Sequence, residues 1–115
     1  MRKQLLRIIA LFLVSLNAFA FHDEFSFMGM QNHGIKRSQD TGKSWTTVAF
    51  DGGNVYAFLV KGSNIFCGTD SGVFLSANNG ANWVSVNKGI EDEEVTNLTS
   101  NNSFLFAGTF RHGVW

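Results

Sequence analysis

The chain has no proline, and only one cysteine occurs among its 115 residues. No helical stripe follows the first twenty residues, which favours a chain of strands and turns. The single thiol, Cys67, excludes an internal disulfide, and its place in an apolar run predicts a buried side chain. An excess of positive charge is also missing, because nine basic residues balance nine acidic ones. Nucleic acid and anionic lipid are therefore not expected as partners.

A long hydrophobic run is missing as well. The apolar stretch at residues 8–16 is interrupted only by Ser15, and it is shorter than the roughly 20 residues of a membrane-spanning helix. Three basic residues precede it, and the small-x-small sequence Ala18-Phe19-Ala20 follows it. This order predicts a signal peptide over residues 1–20 and an exported chain, secreted or periplasmic, without a stable membrane anchor. The mature chain, 21–115, then has six basic and nine acidic residues.

Two near-copies of one motif dominate the mature chain. Residues 38–45, SQDTGKSW, realign with residues 76–83, SANNGANW, with Ser, Gly and Trp in the same places. A second element recurs three times, as Phe-x-Gly at positions 27–29, 66–68 and 106–108, and another glycine follows each copy after four or five residues. Repeats of about 40 residues are typical of propeller blades.

Short β-type runs separated by Gly and Asn turns fill each repeat. The sequence therefore predicts an all-β partial β-propeller of antiparallel four-stranded blades, about two and a half in number. The units cover about 25–51, 55–89 and 95–115, the last of them truncated, and little before Phe25 resembles a first strand. A two-sheet sandwich built from the same hairpins is the alternative.

The repeated motif resembles the Asp-box, or bacterial neuraminidase (BNR) repeat, S-x-D-x-G-x-x-W, with Asn78 in place of the second aspartate. This repeat is known from sialidases, sortilin-type receptors and photosystem II assembly factors of propeller fold. The resemblance implies that the box is a structural device on the outer rim of a blade. The structural residues are then Ser38, Asp40, Gly42, Trp45, Ser76, Asn78, Gly80 and Trp83.

Each box residue type has a physical role in such a hairpin. The carboxylate of Asp40 can accept backbone N–H groups across the turn, and the glycines allow the chain to reverse. The tryptophans are expected to wedge into the core. Because Asn78 keeps an acceptor without the charge, we expect the second turn to be the weaker one.

The loops between the second and third strands of the blades are expected to share one face with the loops that lead to the next blade. That face carries the candidate ligand residues His33, Asp70, Arg111 and His112. No metal site, no cofactor and no catalytic residue is predicted, since metal-binding spacings and nucleophile patterns are missing. Sialidase chemistry in the resembling family uses an arginine cluster and a Tyr–Glu pair, whereas the mature chain has only Arg37, Arg111 and the single Tyr56.

The counted strands number about ten, fewer than the roughly sixteen of the smallest closed propeller. We therefore expect a fragment of a larger propeller, or a unit that self-associates through open blade edges. The predicted function is an exported, non-catalytic interaction or scaffold module with a protein or glycan partner. A fragment of a secreted, sialidase-like hydrolase and an assembly-factor-like propeller are the alternatives.

Overall fold

The computed structural model of the protein describes residues 16–86 and 93–114. Within these ranges the chain forms eleven strands and no helix. The strands are β1 (Leu16–His22), β2 (Phe25–Met30), β3 (Gly34–Ser38), β4 (Thr46–Ala49), β5 (Val55–Lys61), β6 (Asn64–Thr69), β7 (Gly72–Ser76), β8 (Val84–Ser85), β9 (Val95–Ser100), β10 (Leu105–Thr109) and β11 (Gly113–Val114).

The strands make three antiparallel sheets, and each sheet is an up-and-down meander. β1 to β4 form the first sheet in chain order, β5 to β8 the second, and β9 to β11 the third. The leading strands β1, β5 and β9 lie in contact with one another in that order, as the inner strands of successive blades do. The prediction of an all-β partial propeller is confirmed, and the alternative of a two-sheet sandwich is wrong.

The first sheet begins earlier than the sequence analysis expected. β1 pairs with β2 from Leu16 opposite Met30 to His22 opposite Phe25, so the residues before Phe25 supply an inner strand. The expectation that little there could do so is wrong. The sequence analysis missed this strand because its apolar residues continue those of the predicted leader, and hydropathy cannot separate the two patterns. Residues 1–15, which carry most of the predicted signal peptide, lie outside the described residues.

Two hydrophobic cores lie between the sheets. The core between the first and second sheets contains Ala20, Phe27, Ile35, Val55, Ile65 and Cys67. The core between the second and third sheets contains Val73, Val95 and Ala107, with Phe66, Leu98 and Leu105 packed against it. Each sheet therefore buries apolar surface against its neighbour, as stacked repeats do.

The glycine of the Phe-x-Gly element leaves space for a side chain of the adjacent sheet. A Cβ on Gly29 would lie 2.8 Å from Cγ1 of Val55, and a Cβ on Gly68 would lie 2.7 Å from Cγ1 of Val95. Each valine is the first residue of the next sheet's inner strand, so the missing side chain of glycine is what lets the two sheets approach. At the third copy, Gly108, the space is filled by the amide of Asn97 within the same sheet.

Cys67 is fully buried in β6, as the sequence predicted. Burial raises the pKa of its thiol far above the ordinary value, so the side chain behaves as a small hydrophobe. Across 16–86 and 93–114, no helical segment has the length and apolar character needed to cross a bilayer.

Candidate functional site

One end of the sheets gathers the loops that the sequence analysis singled out, and this end is called the loop face. It comprises the turns at 31–33, 50–54, 70–71 and 110–112 together with residues 93–94. Asn54 ties two of these turns together, because its Oδ1 accepts a bond from Asn32 N at 2.8 Å and its Nδ2 donates to Asp70 Oδ2 at 3.1 Å. The sequence analysis did not find this bridge, because it requires two loops from different sheets to be adjacent.

A cleft of about 350 Å³ opens on the loop face between the second and third sheets. The described residues that line it are Asp70, Glu93, Glu94, Arg111 and His112. Asp70 comes from the turn after β6, the two glutamates come from the segment before β9, and Arg111 and His112 come from the turn after β10. Phe110 N donates to Glu94 O at 3.0 Å, which joins the last two segments. Three of the four predicted ligand residues are thus brought together.

His33, the fourth predicted ligand residue, lies elsewhere. It occupies the exposed turn between β2 and β3, the position in the first sheet that His112 occupies in the third. The described residues that line the cleft do not include it. His33 and His112 belong to the first and third sheets, with the second sheet between them, so equivalence in the repeat does not bring them to one cleft.

Negative charge dominates the cleft. Its described lining has three carboxylates, one guanidinium and one imidazole, and Glu93 Oε1 pairs with Nδ1 of His112. The pKa of the neighbouring Tyr56 hydroxyl is raised, first by burial and then by the charges of Glu94 and Asp70. Burial and the two nearby carboxylates thus act in the same direction, because both disfavour a charged phenolate.

The first box forms the hairpin between β3 and β4, on the outer side of its sheet. The hydroxyl of Ser38 donates to Asp40 Oδ1 at 2.7 Å and accepts from Gly42 N at 2.8 Å, while Ser44 N donates to Asp40 Oδ1 at 2.9 Å. The hydroxyl of Ser44 also donates to Asp40 Oδ2. The Ser44 hydroxyl and backbone, with Ser38, lower the pKa of Asp40 to about 2. The carboxylate of Asp40 therefore joins Ser38 at the start of the reversal to Ser44 at its end.

The second box repeats this backbone geometry with neutral side chains. Ser76 Oγ donates to Asn78 Oδ1 at 3.0 Å, and Gly80 N donates to Ser76 Oγ at 2.8 Å. Asn82 N donates to Asn78 Oδ1 at 2.9 Å, and Asn78 Nδ2 donates to Asn82 Oδ1 at 2.8 Å. The acceptor predicted at Asn78 is present. The complementary residues Ser44 and Asn82 were missed, although their equal spacing of four from Asp40 and Asn78 could have indicated them.

The two tryptophans lie in equivalent places. Trp45 Nε1 donates to Gly42 O at 3.1 Å, and Trp83 Nε1 donates to Gly80 O at 2.9 Å. Both side chains are half-buried, with Trp83 packed against the core beside Phe50. The expected wedge into the core is therefore only partial, because each indole N–H must reach a carbonyl in the hairpin.

Among residues 16–86 and 93–114, no group of three or more His, Cys, Asp or Glu side chains is arranged to hold a metal ion. The cleft lining that the structure describes likewise contains no Ser, Cys or Lys. The described residues of the cleft therefore provide charged and hydrogen-bonding groups at the ends of packed sheets.

No protein-family model and no curated protein matches this chain. Among solved structures, the computationally designed protein Ika4 is 14% identical, with a TM-score of 0.66 over 87% of this chain and 63% of that chain. The designed protein Ika8 is 17% identical, with a TM-score of 0.63 over 86% of this chain and 31% of that one.

A third structure, YCF48 bound to D1 peptide, is 17% identical, with a TM-score of 0.60 over 83% of this chain and 33% of that one. The chain thus spans less than two thirds of the length of each of these structures. These neighbours are propellers, and at such identities they show the fold alone.

Proposed function

We propose that the chain is a non-catalytic interaction module in which blade sheets support the loop face, and that the cleft binds a protein segment bearing a basic side chain. The observation that carries the proposal is the cleft between the second and third sheets, with three carboxylates in its described lining. Opposite charge favours encounter with a cationic group, and a fixed support lowers the entropy that binding costs.

The proposal of a peptide-like ligand has support from one comparison. A structure of similar fold holds a peptide, namely YCF48 bound to D1 peptide. Loops at the end of a blade present backbone donors and acceptors beside charged side chains. Extended peptides are recognised by groups of both kinds. The assembly-factor alternative of the sequence analysis belongs to this same class of protein-binding propellers.

The repeat itself is proposed to be an Asp-box. Both hairpins place a Ser hydroxyl, an Asp or Asn oxygen and a positive-φ glycine in one hydrogen-bonded turn, with φ of 88° at Gly42 and 82° at Gly80. Together with the bonds from Trp45 and Trp83 to the glycine carbonyls, these contacts involve each position that the motif S-x-D-x-G-x-x-W specifies. In this proposal Asp40 is structural, because its oxygens are engaged by its own hairpin on the side of the sheet away from the inner strand.

Export is also part of the proposal, and it rests on the sequence alone. The basic residues at the start of the chain and the short apolar stretch after them are what a secretory leader needs. A module outside the cytoplasm with no internal disulfide would depend on its repeat packing for stability.

A peptide-binding assay tests the proposed function. The full chain is titrated against fluorescent peptides that differ only in one central Lys, Ala or Glu, and the Lys peptide should bind most tightly. Glu94→Lys should weaken that binding about fivefold, the value of an exposed charge pair near 1 kcal/mol. Glu24→Lys makes the same charge change in the turn between β1 and β2, at the opposite end of the sheet, and should leave binding unchanged. Equal affinity for all three peptides would sink the proposal.

A further inference from the structure

Strand β1 occupies the stretch in which the sequence analysis placed the export cleavage site. Ala18, Phe19 and Ala20, the small-x-small residues, are the middle of the strand and pair with Gly29, Met28 and Phe27 of β2. These residues therefore have two incompatible interpretations. They are either the end of a leader that is removed, or part of the inner strand of the first blade.

Repeat equivalence favours the second reading. Leu16 and Val55 open the inner strands of the first and second sheets and lie 39 positions apart, as do His22 and Lys61 at the ends of those strands. His22 Nε2 bonds Gly62 O at 3.1 Å, and Lys61 Nζ donates to Asn101 O at 2.9 Å. Positions 62 and 101 are again 39 apart. β1 thus makes to the second sheet the contact that β5 makes to the third.

β1 is also tied into the second sheet by its other side chains. Asn17 Nδ2 donates to Val55 O at 3.2 Å, and His22 Nδ1 lies 2.6 Å from Asn79 Oδ1 in the second box. Ala20 is only 8% exposed and belongs to the core between the two sheets. Residues at both ends and in the middle of β1 therefore contact the second sheet. Such contacts are not expected of a segment that is removed during export.

We infer that the folded protein keeps Leu16–His22 as a blade strand, so that any removal of the leader occurs before Leu16 and not after Ala20. A cut after Ala20 removes five of the seven residues of β1. It leaves Phe27, Met28, Gly29 and Met30 of β2 without ladder partners and opens the core at Phe27, which is fully buried.

The first experiment measures the N-terminus of the mature protein. The full 115-residue chain is expressed with its own leader and a C-terminal tag in a host with a bacterial export pathway, and its intact mass is determined. The expected mass includes Leu16 and everything after it. A mass that begins anywhere from Asn17 to Phe21 overturns the inference.

Hydrogen exchange on the same purified protein tests whether the retained segment is a strand. The peptide that covers residues 16–22 should exchange as slowly as the one that covers 55–61, the equivalent strand of the second sheet. Exchange of 16–22 at the rate of an unstructured peptide overturns the inference even if the mass is as expected.

A matched pair of variants gives a third readout. Ala20→Asp places a carboxylate in the core, whereas Phe21→Asp places one on a side chain that is 52% exposed in the same strand. Ala20→Asp should lower Tm by about 5 °C or more relative to Phe21→Asp, if burying the charge costs about 1 kcal/mol or more. Equal Tm values would show that Ala20 is not in the folded core, and would contradict the inference.

Discussion

At the level of single residues, the two box hairpins reach one backbone geometry with different side-chain chemistry. Asp40 accepts from the hydroxyl and the backbone N–H of Ser44, whereas Asn78 accepts from the backbone N–H of Asn82 and donates to its side chain. A carboxylate needs a donor four residues later, and an amide can use an acceptor there. Each box therefore pairs its Asp or Asn with a complementary side chain four positions later.

The first prediction concerns the charge of Asp40. Its pKa falls from the model-peptide value of 3.8 to about 2 in the folded chain. The stabilisation is therefore complete above pH 4 and disappears as the pH falls through 2. Asp40→Asn should lower the urea midpoint at pH 6, and the difference from the parent chain should shrink at pH 2.5. Asp51→Asn, an identical change in an exposed turn, is the control, and an equal pH dependence in both variants would contradict the assignment.

At the level of elements, adjacent sheets pack closely where a glycine of one sheet lies against a side chain of another. Gly29 receives Val55, Gly68 receives Val95, and Gly80 of the second box lies against the ring of Phe27 in the first sheet. Arg37 of β3 adds a bond from its guanidinium to Asn79 O at 2.8 Å. The box is thus part of the interface between two blades as well as a hairpin.

The second prediction separates that interface from backbone strain. Gly80 and Gly52 share a φ of 82°, but a Cβ on Gly80 would lie 2.4 Å from Cε1 of Phe27, whereas a Cβ on Gly52 meets no atom within 4 Å. Gly52→Ala should cost about 1 kcal/mol of unfolding free energy, from the left-handed backbone alone. Gly80→Ala should cost about 1–3 kcal/mol more, from overpacking. Chemical denaturation measures the loss of unfolding free energy in each variant. Equal losses would mean that the ring of Phe27 moves aside at no cost, and would contradict the prediction.

At the level of the whole molecule, the described sheets are joined in series by two cores, so each sheet depends on its neighbour. The leading strands contact one another along the inner side, and the loop face lies across the ends of the sheets. A cleft between blades can exist only while the blades stay packed. The proposed binding at the cleft should therefore depend on the integrity of the second core.

The third prediction uses Cys67 as a reporter of the integrity of the first core. Burial raises the pKa of its thiol, and the side chain lies in the core between the first two sheets. A thiol reagent should label it only through opening of that core, so that the labelling rate rises steeply with urea. In the control chain Cys67→Ser/Val84→Cys, the thiol occupies a position that is 58% exposed in the native protein and should be labelled at once. Equal labelling rates in the two chains without urea would contradict the burial.

Sequence periodicity determined the fold class, the blade period, the two box hairpins and the burial of Cys67, because local turn chemistry and alternating apolar residues act over a few residues and recur. It also identified the loops that bear Asp70, Arg111 and His112. Tertiary structure alone decided that these three meet in a cleft while His33 does not, and that Asn54 bridges two sheets. Only the tertiary structure identifies Leu16–His22 as a strand. This apolar segment is a blade strand because it pairs with β2, and its composition alone does not show that. Packing between blades depends on distances around the assembly, and no pattern along the chain encodes those distances.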